Sequence, residues 1–263
     1  MYPIAPHATS ADALTFDYAA ASDTGQIRTI NEDSGYASPR LLAVADGMGG
    51  RAAGEIASST VISSLASADT DVPVSALTRV LGEGVSRANE AIARRVAADP
   101  ALTGMGTTLT AMLRSGSHLA LAHIGDCRAY LLHDCCLEQL TEDHTFERLL
   151  STEFGHPARH GKRLIRVLDG EIDQIPDLSL HLALPGNRYL LCSDGLTGPV
   201  APEMLLAVLA TSPDPRHAVA RLMEQANRYG GPGNITVIVA DAIEDDGVPP
   251  VSPLPTLVGS AGR

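Results

Sequence analysis

Three apolar, strand-like runs of this chain reach an aspartate and then turn: Leu42-Ala43-Val44-Ala45-Asp46-Gly47, Leu119-Ala120-Leu121-Ala122-His123-Ile124-Gly125-Asp126 and Tyr189-Leu190-Leu191-Cys192-Ser193-Asp194-Gly195. A carboxylate at the end of a buried strand is costly unless a cation or a donor meets it. One such aspartate is more often a turn former or a helix cap. Three together point to a shared site of oxygen ligands for hard divalent cations, and so to metal-assisted chemistry.

The elements that must bring these ends together can be read from periodicity. Apolar residues recur at Ile56, Ala57, Val61 and Leu65, then at Leu77, Leu81, Val85, Ala88 and Ile92, the spacing of amphipathic helices over 53–65 and 74–96. Residues 105–140 are strand-rich, with strands predicted at 107–113, 117–124, 129–133 and 137–140 and breaks at Ser115-Gly116 and His133-Asp134. Further strands are predicted at 175–182, 187–192 and 234–241, and helices at 202–209 and 215–229. The polar stretch 151–163, which contains His156 and His160, reads as a surface flap with solvated histidines. Strand blocks and helix pairs that do not strictly alternate argue for an α+β class, helices packed on antiparallel sheets. Residues 1–13 read as a leader, 14–244 as one catalytic domain, and 245–263, with Pro249, Pro250, Pro253 and Pro255, as a disordered tail.

Composition narrows the function classes. A formal charge of -12 with no large Lys/Arg cluster disfavours a polyanionic partner, and the absence of Trp with only Phe16, Phe146 and Phe154 leaves few base-stacking platforms; no nucleic-acid partner is expected. An acidic protein can still take an anionic substrate where bound cations reverse the local sign. Cys127, Cys135, Cys136 and Cys192 form no CxxC pair, which fits free thiols in a reducing compartment rather than a zinc ribbon. No basic stretch precedes an apolar core at the N-terminus and no run reaches the ~18 apolar residues of a membrane span, so the expectation is a cytoplasmic chain without membrane insertion.

Shorter motifs carry a resemblance. Arg28-Thr-Ile-Asn31-Glu32-Asp33, Asp46-Gly-Met-Gly-Gly50 followed by Glu55, Gly104-Met-Gly-Thr-Thr108, Gly125-Asp-Cys-Arg128, Leu140-Thr-Glu-Asp-His144, Ser193-Asp-Gly-Leu196 and Gly233-Asn-Ile-Thr236 occur in the order of the metal-dependent Ser/Thr protein phosphatases. The chain therefore resembles the PPM or type 2C family over about residues 15–242, most of all its bacterial, actinobacterial branch. That resemblance implies an α-β-β-α sandwich, two antiparallel sheets between pairs of helices, with metals in a cleft at one edge. It implies two or three Mn2+ or Mg2+ ions and hydrolysis of phosphoserine and phosphothreonine by direct attack of a metal-bridging hydroxide. Asp46 would bridge two ions, Gly47 would offer its carbonyl to one, Asp194 would bind the other, and Asp126 with Asp194 would hold a third. Glu32 and Asp33 would act through waters. Arg28 would grip the phosphate, since a guanidinium matches phosphate oxygens with paired donors. Phosphorylated proteins, and the Ser/Thr kinases such enzymes oppose, are the implied partners; the sequence leaves the oligomeric state open.

The departures from that pattern matter equally. Gly233 stands where the family usually carries a metal-binding aspartate before the Asn-Ile-Thr run, so one carboxylate of the implied cluster is missing. Met48 stands where some relatives carry histidine, and a thioether cannot protonate a leaving alkoxide. Cys127 replaces a serine. Two readings of different class follow: a metal-dependent phosphatase of reduced activity, and a pseudophosphatase that binds or regulates phosphoproteins.

Overall fold

The computed structural model describes residues 14–49, 53–154, 163–172, 174–245 and 254–263. In chain order the strands are β1 Leu14–Asp23, β2 Asp33–Ala37, β3 Leu41–Met48, β4 Gly106–Thr107, β5 Leu109–Ser115, β6 His118–Ile124, β7 Arg128–His133, β8 Cys136–Gln139, β9 Asp177–Leu182, β10 Arg188–Cys192, β11 Ile235–Glu244 and β12 Thr256–Gly259. The helices are α1 Ala53–Leu65, α2 Leu77–Ala98, α3 Phe146–Phe154, α4 Asp194–Thr197, α5 Pro202–Thr211 and α6 Pro215–Arg228. One sheet has the order β1-β11-β10-β7-β8; the other runs β12-β2-β3-β5-β6-β9, with β4 beside β3. Every ladder is antiparallel.

Alternation along each strand explains the layering. In β3, Leu41, Ala43 and Ala45 face a core shared with Val61 and Leu65 of α1 and Leu81 and Val85 of α2. Leu42 and Val44 point the other way, into the space between the sheets, where Phe16, Tyr189 and Ile238 also sit. The third core lies under α5 and α6, where Leu205, Leu209 and Leu222 cover Leu190, Val237 and Val239. Strands buried on both faces read as unbroken apolar runs, which is why three of them stood out in the sequence. The antiparallel α-β-β-α sandwich implied by the resemblance is the observed architecture.

Several local readings are revised. The helix expected from 74 starts as a helical turn at Val74–Ala76 and becomes α-helical at Leu77. Ser151 belongs to α3 rather than to a flap; residues 155–162 of that stretch, with His156 and His160, lie outside the described residues, as do residues 1–13. The disordered tail expected over 245–263 does not hold at its end. Thr256–Gly259 pairs with the edge of β2, because Thr, Leu and Val favour extended backbone once past the prolines and the β2 edge offers unpaired backbone groups. No helix among the described residues is long and apolar enough to cross a membrane.

Leu81 of α2 is fully buried, whereas Arg79, two residues earlier and so on the opposite side of the helix, is exposed in an i,i+4 pair with Glu83. Leu81→Ala is expected to cost ~2–5 kcal/mol in urea unfolding, and Arg79→Ala less than ~0.5 kcal/mol.

Candidate metal and phosphate site

β2 and β3 end on a pair of aspartates. Asp33 lies directly opposite Asp46 in the ladder, and like charges so placed repel unless something lies between them. Gly47 follows Asp46, its N–H donating to the Glu32 carbonyl at 3.1 Å. A Cβ on Gly47 would lie 2.1 Å from the Gly54 carbonyl oxygen and 2.5 Å from that of Glu32, so only glycine fits where β3 meets the start of α1. On the other side of β3, Thr107 Oγ1 donates to the Asp46 carbonyl at 2.8 Å, and Thr108 Oγ1 accepts from the Asp46 N–H at 3.0 Å. The backbone of Asp46 is thereby fixed, and the residue is half-buried.

Asp33 is fully buried, and one of its oxygens is bonded to the opposite sheet. Ser193 Oγ and Thr236 Oγ1 donate to Oδ2 at 2.7 and 2.8 Å. Ser193 precedes Asp194 at the end of β10, so the same residue that restrains Asp33 sets the position of the next aspartate. Oδ1 of Asp33 is buried and meets no hydroxyl or amide donor, and the Asp33 carboxyl lies within hydrogen-bonding reach of that of Asp46. Burial raises the Asp33 carboxyl to about 6; the hydroxyl bonds from Ser193 and Thr236 oppose that rise, and the charge of Asp194 adds to it. Asp46 is raised well above the carboxylate range by burial of its carboxyl, then by the charges of Asp33, Asp194 and Asp126. Four carboxylates from three strand ends and one ladder partner thus share one electrostatic neighbourhood, which is the environment a hard cation relieves.

Asp126, on the turn between β6 and β7, is held from behind. His144 accepts from the Gly125 N–H through Nδ1 at 3.0 Å, and its own N–H donates to the Gly125 carbonyl at 2.7 Å. Its Nε2 faces Asp177 at 2.9 Å, and burial lowers its pKa, so the ring stays neutral as an acceptor for the turn. Arg128 grips Asp143 with two donors at 2.8 and 2.6 Å, fixing the strand after the turn to the loop that carries His144. Cys127 is buried, its Sγ 3.0 Å from Thr108 Oγ1, and its thiol is pushed far up by burial and by Asp46 and Asp126, so it takes no part as a nucleophile.

Glu32 lies at the cleft edge. Its carboxyl accepts from the Gly54 N–H and is raised by burial, with the Arg28 charge acting against that rise. Asn234 fastens the loop that carries Arg28: its Nδ2 donates to the Thr24 and Ile30 carbonyls, both at 2.9 Å, and its Oδ1 accepts from the Glu32 N–H at 2.9 Å. Arg28 itself is exposed on that loop, beside exposed Ile27 and Ile30. Gly233 is adjacent, its backbone outside the left-handed region, and a Cβ there would meet only Gly195 Cα at 3.7 Å, an ordinary contact. Gly233 therefore leaves room for an aspartate that the chain does not carry.

Asp33, Asp46, Asp126, Asp194, Gly47 and Glu32 are brought to one edge of the sandwich, with Arg28 on a loop fastened to the same edge. Sequence reasoning did not name Ser193, Thr236, Asn234, Thr107 or Thr108 as site residues, although all lie inside the quoted motifs. Among the described residues no three carboxylate, imidazole or thiolate groups converge tightly enough to chelate an ion unaided. The donor set fits Mg2+-like or Mn2+-like ions that take one or two carboxylates, a backbone carbonyl and waters, and the Asp33 oxygen without a hydroxyl or amide donor is an acceptor left for such a shell. Among the described residues, a cavity of about 440 Å³ between α2 and Gly170, Glu171, Ile172 and Gln174 holds no such grouping.

The raised carboxyl of Asp33 makes a stability prediction. A folded-state value of about 6 against an ordinary 3.8 means its contribution is fully present below pH 3.8 and is lost as pH rises through 6. In chelator at pH 7.5, Asp33→Asn is expected to stabilise the fold, with the gain vanishing near pH 4. Denaturant unfolding at the two pH values checks this.

Comparison with known proteins agrees with this geometry. The sequence profile described as "Protein phosphatase 2C" matches residues 19–150. The serine/threonine protein phosphatase PstP of Mycobacterium tuberculosis is 48% identical over 242 residues, covering 89% of this chain and 46% of that protein, so this chain spans about half the length of that relative. The serine/threonine phosphatase stp of Listeria monocytogenes is 33% identical over 237 residues, 84% of this chain and 93% of that protein. A crystal structure of the PstP catalytic domain in complex with two manganese ions superposes with a TM-score of 0.80 at 48% identity, covering 88% of this chain and 100% of that one. The aspartate-tipped sandwich, its motifs in order and these relatives agree: the chain belongs to the protein phosphatase 2C family.

Proposed function

We propose that this chain is a manganese- or magnesium-dependent phosphatase that hydrolyses phosphoserine and phosphothreonine on proteins in the bacterial cytoplasm, opposing Ser/Thr kinases. The observation that carries the reading is the opposition of Asp33 and Asp46 at the end of one ladder, with the charges of Asp126 and Asp194 beside them. Divalent ions, when bound, supply Lewis acidity and lower the pKa of water from 15.7 to about 7, which makes water a competent nucleophile at neutral pH. Asp46, the Gly47 carbonyl, Asp126 and Asp194 would hold those ions, the charges of Asp126 and Asp194 acting beside that of Asp46. Glu32 and Asp33 orient waters in those shells, and the buried Oδ1 of Asp33 supports that role. Arg28 grips the phosphate from the loop that Asn234 fastens. Met48, exposed at the end of β3, cannot give a proton to the leaving alkoxide, so solvent water supplies it.

Gly233 lowers the negative charge on this edge by one, and weaker metal binding with slower turnover follows. It also favours a second reading, in which the fold serves as a phosphoprotein-binding module. Hydrolysis of p-nitrophenyl phosphate and of a phosphothreonine peptide, with Mn2+, with Mg2+ and with chelator, separates the two. Metal-dependent turnover that falls at least ~100-fold in Asp46→Asn, more than loss of an outer-shell partner costs, supports the enzyme. Gly233→Asp is expected to tighten Mn2+ on the order of tenfold, ~1.4 kcal/mol, by calorimetry. Turnover by Gly233→Asp alone, with none by the unaltered chain, makes the binding module correct.

Arg28→Ala is expected to raise KM for the phosphopeptide roughly 10- to 100-fold, the worth of a charge-assisted contact, while manganese affinity stays unchanged. Lost manganese affinity in that variant would refute the phosphate-gripping role.

A further inference from the structure

The segment 254–263 does more than cover an edge. β12 runs antiparallel to β2 with Thr256 opposite Ala37, Leu257 opposite Tyr36, Val258 opposite Gly35 and Gly259 opposite Ser34, so it ends beside the strand residue that follows Asp33. Gly35 has no side chain beneath Val258: a Cβ there would lie 2.8 Å from Val258 Cγ2. Gly259 adopts φ +69°, and a Cβ on it would lie 2.2 Å from the Asp33 carbonyl oxygen and 3.1 Å from Ser22 Oγ, so the chain presses on Asp33 at a conformation that glycine alone takes readily. Beyond it, Ser260 Oγ donates to the Asn31 carbonyl, and the Ala261 N–H donates to Ser34 Oγ at 3.2 Å. At the other end of the segment, the Leu254 carbonyl accepts from the hydroxyl of buried Tyr18 at 2.7 Å.

These contacts meet the network that fixes Asp33. The side chain of buried Asn31 donates to Ser22 Oγ at 2.8 Å and accepts from the Asp33 N–H at 3.1 Å. Ser22 Oγ bonds Thr236 Oγ1 at 2.8 Å, and Thr236 Oγ1 donates to Asp33 Oδ2. Ser34 Oγ, which takes the Ala261 N–H, is 2.9 Å from Ser58 Oγ, and Ser58 donates to the Glu32 carbonyl at 2.5 Å. Each residue from Asn31 to Ser34 is thus touched by the 259–261 segment or by its immediate partner.

We propose that residues 254–263 are a positioning strand for the metal site: docking of β12 on β2 holds Asn31–Ser34 in the geometry that presents Glu32 and Asp33, and cation binding and strand docking reinforce each other. The proposal rests on the metal reading above. Reciprocity is its signature, because a strand that tightens the cation must be tightened by it to the same degree.

The test uses the full chain. Gly259→Val places a branched side chain at a left-handed position against the Asp33 carbonyl, and Ser260→Ala removes one tether; Leu257→Ala, on the half-exposed outer face, is the control. Manganese affinity is read by calorimetry and backbone opening by hydrogen exchange, with KM for the phosphopeptide at saturating manganese as the check that the phosphate site of the folded molecules is intact. Gly259→Val is expected to weaken manganese about tenfold, the low end for outer-shell supports, and Ser260→Ala, which removes a single tether, by roughly threefold, below that range, with faster exchange over 31–37 and KM unchanged. Manganese added to the unaltered chain is expected to slow exchange over 256–261. Should Gly259→Val free residues 256–261 while manganese affinity and exchange over 31–37 stay as in the parent, the proposal is overturned. If Gly259→Val does not fold, Ser260→Ala decides: an unchanged manganese affinity sinks the idea. An unaltered chain that binds no manganese overturns the metal reading and the coupling with it, an outcome distinct from intact binding that ignores β12.

Discussion

Two carboxylates facing each other across the last pair of the β2–β3 ladder are the constraint around which the cleft edge is built. Left alone, Asp33 and Asp46 repel and their burial costs free energy, and no packing adjustment removes that cost without moving the strands. The structure answers on one oxygen only. Two hydroxyls from the opposite sheet neutralise Oδ2 of Asp33, and Oδ1 is left without a donor. A fold selected for stability alone would place an asparagine or a serine there; the retained charge is a cost that a bound cation converts into affinity.

Holding that arrangement requires both sheets. Asp46 lies on β3 of the sheet covered by α1 and α2, Asp126 on the turn that crosses from β6 of that sheet to β7 of the other, and Asp194 follows β10 of the sheet covered by α5 and α6. The apolar layer between the sheets, with Leu42, Val44, Phe16 and Ile238, sets their spacing. Because interiors pack as densely as crystals, that spacing is stiff, and the hydroxyl bonds from Ser193 and Thr236 to Asp33 act as the fine setting across the seam.

What was legible in the sequence followed from locality. The helix over 53–65 and the aspartates at 46, 126 and 194 announced themselves because periodicity and strand-end position are short-range signals. β2 was not legible: Asp-Ser-Gly-Tyr-Ala has turn-like composition, and only burial between β3 and β12 makes it a strand. β1 was missed for a related reason, its Ala-rich second half offering no alternation until β11 is paired with it. β12 was hidden by the prolines before it. Ser193 and Thr236 lay in motifs already quoted, yet their partner Asp33 is 160 and 203 residues away, and nothing in one sequence states such a pairing.

Gly233 shows how far metal charge and phosphate grip can be separated in this fold. Asn234 bonds Thr24, Ile30 and Glu32 through its own side chain, and the Gln26 N–H takes the Gly231 carbonyl at 2.9 Å, so the Arg28 loop is fastened whatever stands at 233. The loop geometry therefore survives the loss of a carboxylate at its neighbour. On the proposed function, what that loss would change is the charge available to a cation near Asp194, since a water can fill a coordination position without supplying its charge. On that same reading, such a chain would keep its phosphate-gripping loop while its dependence on cation concentration shifted upward, so that binding would respond to Arg28 and turnover to the filling of the carboxylate edge.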